Sequence, residues 1–171
     1  MKKPLFVGFI GHSGSGKTTL IEKLITQFRH EGYRVGAIKH DAHRFEIDHP
    51  GKDSYRLKHA GAHRVVISSR EKLAMVEERD KEATLDEIKS MFNDCDIVFV
   101  EGYKLGDIPK IEVHRASTGH EYLVDKGISN VVLIASDERT QRPVEQIDIN
   151  DTVSIAQFIK RLMNGYGDSS D

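Results

Sequence analysis

A short segment near the beginning of the sequence has the residue types and the spacing of a phosphate-binding loop. Residues 11–18 read Gly-His-Ser-Gly-Ser-Gly-Lys-Thr and match the pattern G-x-x-x-x-G-K-[ST]. The glycines let backbone N–H groups approach phosphate oxygens closely, and successive N–H groups form an anion-binding nest. The Lys17 ammonium can reach the β- and γ-phosphates, and the Thr18 hydroxyl can ligate Mg²⁺. The segment therefore predicts a site for a nucleoside triphosphate with Mg²⁺.

The predicted nucleotide-binding residues lie in this loop, directly after it and in one distant segment. They are Gly11, Ser13, Gly14, Ser15, Gly16, Lys17, Thr18, Thr19 and Asp137. Asp137 follows an apolar run, and its carboxylate could accept two hydrogen bonds from guanine N1–H and N2–H₂. An ordinary loop acid is the alternative interpretation, because the guanine signature N-K-x-D is absent. Spacing alone leaves the choice of base open.

Two acidic residues at strand ends are candidates for holding the metal. Glu101 directly follows the apolar run Ile97-Val98-Phe99-Val100, and Asp41 follows the second predicted strand. Ligands bind at the carboxyl ends of parallel strands, and phosphate-loop proteins use an acid there to hold the magnesium shell. We predict Lys17, Asp41 and Glu101 as catalytic residues, and Thr18, Asp41 and Glu101 as metal ligands. The spacing does not decide between the two acids.

A polar segment, residues 40–53, is predicted to be a functional loop because it can bury little apolar surface. The residues predicted to sense the γ-phosphate or to contact a substrate are Lys39, His40, Lys52, Asp53 and Ser54. His40 and His43 could also form a metal pair, but two histidines without a third fixed ligand are a weak zinc pattern.

The pattern of apolar runs predicts the elements that position these residues. Strands are expected at residues 5–10, 33–39, 96–100, 109–115 and 131–135, helices at 18–30, 54–60, 85–92 and 153–163, and a hairpin at 64–68 and 73–77. This alternation predicts an α/β fold, a three-layer α/β/α phosphate-loop NTPase with a mostly parallel sheet and an antiparallel edge hairpin. An exposed edge invites pairing with a second copy. We expect one nucleotide-binding domain, residues 1–164, and a polar tail, residues 165–171.

Composition excludes several functional classes. The chain has 171 residues and a net charge of -2, so we expect no electrostatic binding to nucleic acid. No apolar run is long enough to cross a membrane. The single cysteine, Cys95, excludes an intramolecular disulfide, is expected to be a small buried hydrophobe, and fits a cytoplasmic location.

Several motifs together resemble the MobB family, the molybdopterin-guanine dinucleotide biosynthesis adapter proteins. The phosphate loop alone is common to many families, but its combination with the other motifs is specific. The matching stretches are residues 11–20, 37–43, 48–55, 60–62 and 100–104, together with Pro109-Lys110-Ile111.

The resemblance implies a GTP-binding protein with weak GTPase activity that forms a homodimer. Family members are thought to assist MobA, the guanylyltransferase that joins GMP to molybdopterin, and molybdopterin itself is a further expected ligand. The resemblance assigns Gly14, Gly16, Lys17 and Thr18 to phosphate and magnesium, Asp41 and Glu101 to the metal or its waters, and Lys52, Asp53 and Ser54 to the loop over the site. Beyond residue 115 no motif matches.

Two other functions compete with this interpretation. A small-molecule kinase would use the same loop to transfer the γ-phosphoryl group to an acceptor, and it would need arginines in a lid, for which residues 139–142 are the nearest match. A pure binding module would have no turnover and a structural Glu101. No arginine is placed as an evident finger, although Arg44 and Arg56 could be recruited, and phosphate-loop GTPases without one hydrolyse slowly.

Overall fold

A computed structural model describes residues 3–40 and 45–167 of the chain. Residues 3–40 and 89–167 form one compact unit, and residues 45–88 form a second. No helix in these ranges is long and apolar enough to span a bilayer.

The first unit contains a six-stranded parallel sheet. Its strands are β1 (Leu5–Ile10), β2 (Val35–Lys39), β5 (Ile97–Glu101), β6 (Lys110–His114), β7 (Val131–Ser136) and β8 (Glu145–Asp148), in the order β2-β5-β1-β6-β7-β8. The central strand β1 pairs with β5 on one side and β6 on the other. After β1 the chain continues to β2 on one side of the sheet, while β6 lies on the other side. The carboxyl end of β1 is therefore the place where such sheets bind ligands.

Two helices cover one face of this sheet. They are α1 (Lys17–His30) and α4 (Thr152–Gly167), and they pack against each other as well as against the strands. Phe28 of α1 is fully buried and makes an edge contact with Phe99, with ring centroids 5.6 Å apart. On the opposite face, Phe6 meets Phe92 of a short 3₁₀ turn at 6.3 Å. The three-layer α/β/α arrangement predicted from the sequence is confirmed.

Strand β6 has an unusual row of buried polar side chains. Its apolar side chains, Ile111 and Val113, join the core under the helices, whereas Lys110, Glu112 and His114 are buried on the other side. A buried polar group is stable only when it has a hydrogen-bonding partner, and the structure supplies such partners. The Glu112 carboxylate, for example, accepts the backbone N–H groups of Leu123 and Val124 at 2.5 and 2.9 Å, and the Lys110 ammonium donates to two backbone carbonyls.

The second unit contains α2 (Asp53–His59), the antiparallel pair β3 (Arg64–Ser68) and β4 (Leu73–Glu77), and α3 (Leu85–Lys89), whose last residue belongs to the first unit. The predicted hairpin is confirmed at the expected residues, and it forms a two-stranded sheet of its own. Its buried apolar side chains are few, because most large hydrophobic residues of the strands are exposed.

The largest differences from the expected elements are these. Strand β8 was not predicted, because Glu145-Gln146-Ile147-Asp148 contains one apolar residue. The predicted helix at 85–92 divides into α3 and the 3₁₀ turn Ser90–Phe92. Helix α4 continues to Gly167 and therefore ends later than residue 163.

Candidate nucleotide-binding site

The phosphate loop connects the end of β1 to the start of α1 and depends on its glycines. Gly11, Gly14 and Gly16 have φ values of 153°, 78° and 92°, which side chains rarely adopt. A Cβ atom at Gly11 would lie 2.3 Å from the carbonyl oxygen of Val113, so no side chain fits there. Gly16 caps α1, and the N–H groups of the first helical turn therefore face the loop.

The Lys17 side chain curls back over this loop. Its Nζ atom donates hydrogen bonds to the carbonyl oxygens of Gly11 and His12, at 3.2 and 2.8 Å. Burial lowers the Lys17 pKa, the Glu101 carboxylate raises it in part, and the charges of Lys104 and Lys39 lower it further. The Lys17 ammonium is thus held close to two other positive charges, Lys104 and Lys39. The negative charge of bound phosphates would stabilise this arrangement.

Thr18 and Glu101 come together as the sequence predicts. The Thr18 hydroxyl donates a hydrogen bond to Glu101 Oε2 at 2.8 Å. The contact exists because β1 and β5 are parallel neighbours, which places Glu101 opposite Phe9 just before the loop. A hydroxyl and a carboxylate so close together are the hard oxygen ligands that Mg²⁺ prefers, so the donor set fits this ion.

The structure does not test the second predicted metal ligand or the His40–His43 zinc pair. Asp41 and His43 lie outside the described residues. Among residues 3–40 and 45–167, no group of three or more histidine, cysteine, aspartate or glutamate side chains is arranged to hold a metal.

Two of the predicted loop residues, Lys39 and His40, lie beside Glu101. Lys39 is its register partner in β2, and the His40 N–H donates to the Glu101 carbonyl at 2.8 Å. The His40 ring packs on Tyr103 with centroids 4.3 Å apart. Tyr103 has a φ of 47°, in the left-handed region where tyrosine is uncommon. The backbone after Glu101 is therefore tightly shaped around His40.

The remaining loop residues belong to the second unit. Lys52 precedes α2, and Asp53 and Ser54 are its first residues. Asp53 forms an exposed ion pair with Arg56 at 3.4 Å. Their role over the phosphate loop stays a prediction.

Asp137 lies at the end of β7 and is joined to the phosphate loop through Arg115. Its carboxylate accepts the Ala116 N–H at 2.9 Å and pairs with the Arg115 guanidinium at 3.5 Å. Arg115 in turn packs against Gly16, where a Cβ atom would lie 3.3 Å from Nε. Beside Asp137 is a cleft of about 600 Å³, lined by residues 136–140, 144 and 146–148. Recognition of a base by Asp137 stays a prediction.

The remaining predicted residues in or next to the phosphate loop differ in how exposed they are to solvent. Ser13, Gly14 and Thr19 are exposed, as a ligand-contacting surface requires, whereas Ser15 is buried and its hydroxyl has no partner among the described residues. Sequence reasoning missed Arg115, and it included Tyr103 only as part of the family motif at residues 100–104. Arg115 follows a short strand without any motif, and Tyr103 shows its strain only in the backbone angle.

Known proteins resemble this chain in both sequence and fold. The family model described as "Molybdopterin guanine dinucleotide synthesis protein B" matches residues 6–137. The chain belongs to the MobB family. The molybdopterin-guanine dinucleotide biosynthesis adapter protein of Escherichia coli (strain K12) is 37% identical over 164 residues, which cover 92% of each chain. The corresponding protein of Haemophilus influenzae is 36% identical over 166 residues, or 94% of this chain and 90% of that one.

A solved MobB structure supports the same assignment. The crystal structure of molybdopterin-guanine biosynthesis protein B superimposes with a TM-score of 0.76 at 28% identity, and covers 94% of this chain and 99% of its own. The MobB structure from Bacillus subtilis, at 22% identity and a TM-score of 0.72, shares the fold. The phosphate loop, Thr18 and Glu101 all lie within the matched MobB region.

Proposed function

We propose that this MobB-family chain binds GTP with Mg²⁺ and acts as a weak GTPase adapter in the biosynthesis of the guanine dinucleotide form of the molybdenum cofactor. In this role it assists a MobA-type guanylyltransferase in the cytoplasm. The observation that carries the nucleotide part is the contact between the Thr18 hydroxyl and Glu101 at 2.8 Å, beside the Lys17 ammonium. The adapter part is supported by the names of relatives that cover more than nine-tenths of the chain.

The proposed residue roles follow the sequence prediction. The loop amides and Lys17 bind the phosphates, Thr18 and Glu101 hold the metal, and Asp137 reads the base. Asp41 is proposed as a second acid for the metal shell, and residues 52–54 as a segment that covers the nucleotide. When bound, Mg²⁺ would neutralise phosphate charge, while the chain positions the phosphates and the attacking water.

The contacts of Arg142, in the segment nearest to a kinase lid, count against the kinase alternative. The Arg142 guanidinium forms hydrogen bonds to both oxygens of Asp125 and lies over the Tyr122 ring at 3.7 Å. Releasing it toward a phosphate would break these contacts. We therefore propose GTP binding with slow hydrolysis rather than phosphoryl transfer to a small molecule.

Calorimetry tests the nucleotide site directly. Titration with GTP and ATP, each with and without Mg²⁺, should show the tightest binding for GTP with Mg²⁺. Lys17→Ala should weaken that affinity by about 100-fold or more, because a charge-assisted contact to phosphate is lost in a partly buried site. Lys23→Ala, an exposed residue of the same helix, is the matched control and should bind like the wild type. Equal affinities of the two variants, with unchanged melting temperatures, would reject the site.

The adapter role needs a separate measurement. Purified MobA-type guanylyltransferase should form more guanine dinucleotide product when this chain and GTP are present than when the Lys17→Ala variant replaces it. Equal product in both mixtures would leave nucleotide binding intact as a proposal but refute the adapter function.

A further inference from the structure

One side chain lies between the two halves of the proposed nucleotide site. Arg115 follows β6, which pairs with β1 on the side away from β5 and Glu101. Its guanidinium lies against the phosphate loop, since a Cβ atom at Gly16 would be 3.3 Å from Nε and 3.7 Å from Nη2. The same group pairs with Asp137 Oδ2 through Nη1 at 3.5 Å. Arg115 therefore contacts both the segment proposed to bind phosphates and the acid proposed to read the base.

The backbone around Arg115 is held by hydrogen bonds. Its carbonyl oxygen accepts the N–H and the hydroxyl of Thr118, at 3.0 and 2.7 Å, in the 3₁₀ turn Ala116–Thr118. The N–H of Ala116 donates to Asp137 Oδ1 at 2.9 Å. The side chains of Arg115 and Asp137 are 34% and 28% exposed, so their ion pair is screened less than a fully exposed one. The turn thus fixes where the guanidinium begins, and the ion pair fixes where the carboxylate points.

The Asp137 carboxylate keeps acceptor capacity for a ligand. An ionised carboxylate has about four lone-pair sites on its two oxygens. The described residues give each oxygen one donor, the Ala116 N–H to Oδ1 and the Arg115 guanidinium to Oδ2. Acceptor capacity therefore remains on both oxygens, beside the cleft of about 600 Å³. Guanine offers N1–H and N2–H₂ side by side, which two neighbouring oxygens can accept together, whereas adenine has no such donor pair.

We propose that Arg115 is a specificity-determining positioning residue, which holds the Asp137 carboxylate in the orientation that accepts guanine N1–H and N2–H₂. This role rests on the proposed function, in which Asp137 reads the base. Because the same guanidinium packs on Gly16, the acid and the phosphate loop are held as one unit before the nucleotide binds. Such preorganisation lets a chain without the N-K-x-D pattern distinguish guanine from adenine. In the alternative, Asp137 only caps the turn at Ala116, and Arg115 has no effect on the choice of base.

The base selectivity of the full chain tests this role. Calorimetry gives the affinities for GTP and ATP, both with Mg²⁺, and the wild type should prefer GTP. Arg115→Met keeps an unbranched stem against Gly16 but removes every donor of the guanidinium. It should lower GTP affinity about tenfold, as expected when one charged hydrogen bond is lost, while ATP affinity stays within about twofold. The preference for GTP over ATP should therefore fall.

Three further variants sharpen the experiment. Arg115→Lys retains the charge and an ammonium donor, so it should recover part of the preference for GTP. Arg29 is exposed in the last turn of α1, and Arg29→Met should match the wild type. Asp137→Asn should reduce the preference by itself, and adding Arg115→Met should reduce it no further, because the two side chains act as one unit. Additive losses in the double variant would overturn the proposal.

The remaining outcomes separate this role from the proposed function. If the wild type prefers GTP and Arg115→Met weakens GTP and ATP equally, Arg115 serves the phosphates or the fold, and the positioning role is overturned while GTP binding stands. An unchanged preference in Arg115→Met overturns the role as well. Should Arg115→Met fail to fold, Arg115→Gln, which removes the charge, carries the same expectation. A wild type that binds GTP and ATP equally refutes base reading by Asp137 together with this role, and that result needs no variant.

Discussion

Glu101 has contacts through both its backbone and its side chain. Its carbonyl accepts the His40 N–H, which fixes the chain after β2, and its carboxylate accepts the Thr18 hydroxyl. The first contact depends only on backbone geometry. A change of the side chain alone therefore tests the metal role without removing the strand from the sheet.

We predict that Glu101→Gln slows magnesium-dependent GTP hydrolysis about 10- to 100-fold, because a neutral amide holds the metal shell less well than a carboxylate. GDP affinity should change by less than about threefold, since the loop amides and Lys17 remain. Phosphate release and calorimetry measure the two quantities on the same preparation.

Glu22→Gln is the control for this experiment. Glu22 is exposed on α1, and the change removes the same charge without touching the site. Equal losses of hydrolysis and of GDP affinity in the Glu101 variant would assign Glu101 a structural role.

The site residues that the sequence predicted can each be recognised from the residues next to them in the chain. Lys17 and Thr18 belong to a motif, and Glu101 ends an apolar run. Arg115 could not be found in this way, because its contacts with Gly16 and Asp137 join segments that are distant in the chain. Only the folded sheet brings those segments together.

Helix α4 begins with a side-chain cap. Asp151 immediately precedes it and accepts the Ser154 N–H through Oδ1 at 3.0 Å. The hydrogen bonds from the Ser154 backbone and side chain lower the Asp151 pKa below its ordinary value of 3.8. The cap satisfies one of the free N–H groups of the first turn, in the manner typical of aspartate.

We predict that Asp151→Ala lowers the melting temperature by about 2–4 °C at neutral pH, whereas Asp151→Asn, which keeps the acceptor, lowers it less. Because the folded pKa is depressed, this stabilisation is fully present above the unfolded pKa of Asp and is lost as pH falls through the lower, folded value. The difference between wild type and Asp151→Ala should therefore shrink in strong acid to about the difference between Asp151→Asn and Asp151→Ala, because a protonated carboxyl still accepts the Ser154 N–H. Thermal melts across this pH range measure it, and a difference that did not shrink would contradict the charged cap.

Long, strongly patterned elements were predictable and short ones were not. The apolar run of β1 and the helical spacing of α1 each encode their element locally. Strand β8 has a single apolar residue and exists because β7 offers it a partner in register, from Leu133 opposite Glu145 onward. Its formation is a tertiary effect that no local pattern contains.

The hairpin β3–β4 exposes an apolar face that bears on whether the chain associates with a second copy. Val66, Leu73 and Met75 project from one of its faces, because Val66 pairs with Met75 and Leu73 lies two residues from it. These side chains are 52%, 73% and 44% exposed. An isolated two-stranded hairpin is marginally stable in water, and an exposed apolar face favours association. These properties favour the homodimer that the family resemblance implies.

We predict that Leu73→Glu converts the dimer to a monomer at micromolar concentrations, since a charge would have to be buried in the interface. Leu105→Glu makes the same substitution at a residue that is 90% exposed in the first unit and should leave the dimer intact. Sedimentation equilibrium of both variants gives the answer. A monomeric wild type would refute the dimer, and a dimeric Leu73→Glu would place the interface elsewhere.

At the scale of the molecule, the sequence predicted the fold class. Alternating buried strands and amphipathic helices were enough to identify the parallel sheet. The predicted hairpin lies in a compact unit of residues 45–88, in which Val65 and Leu85 are the buried apolar side chains. Burial of that kind becomes visible only after folding.

The polar row of β6 limits how this protein could be redesigned. An engineer who replaced Glu112 with valine, to complete an aliphatic strand, would take away the acceptor for two main-chain amides, at Leu123 and Val124. Those amides belong to the stretch that carries His120. A change meant to stabilise the sheet would therefore loosen the segment that contains His120, and libraries for thermostability should leave Glu112 unvaried.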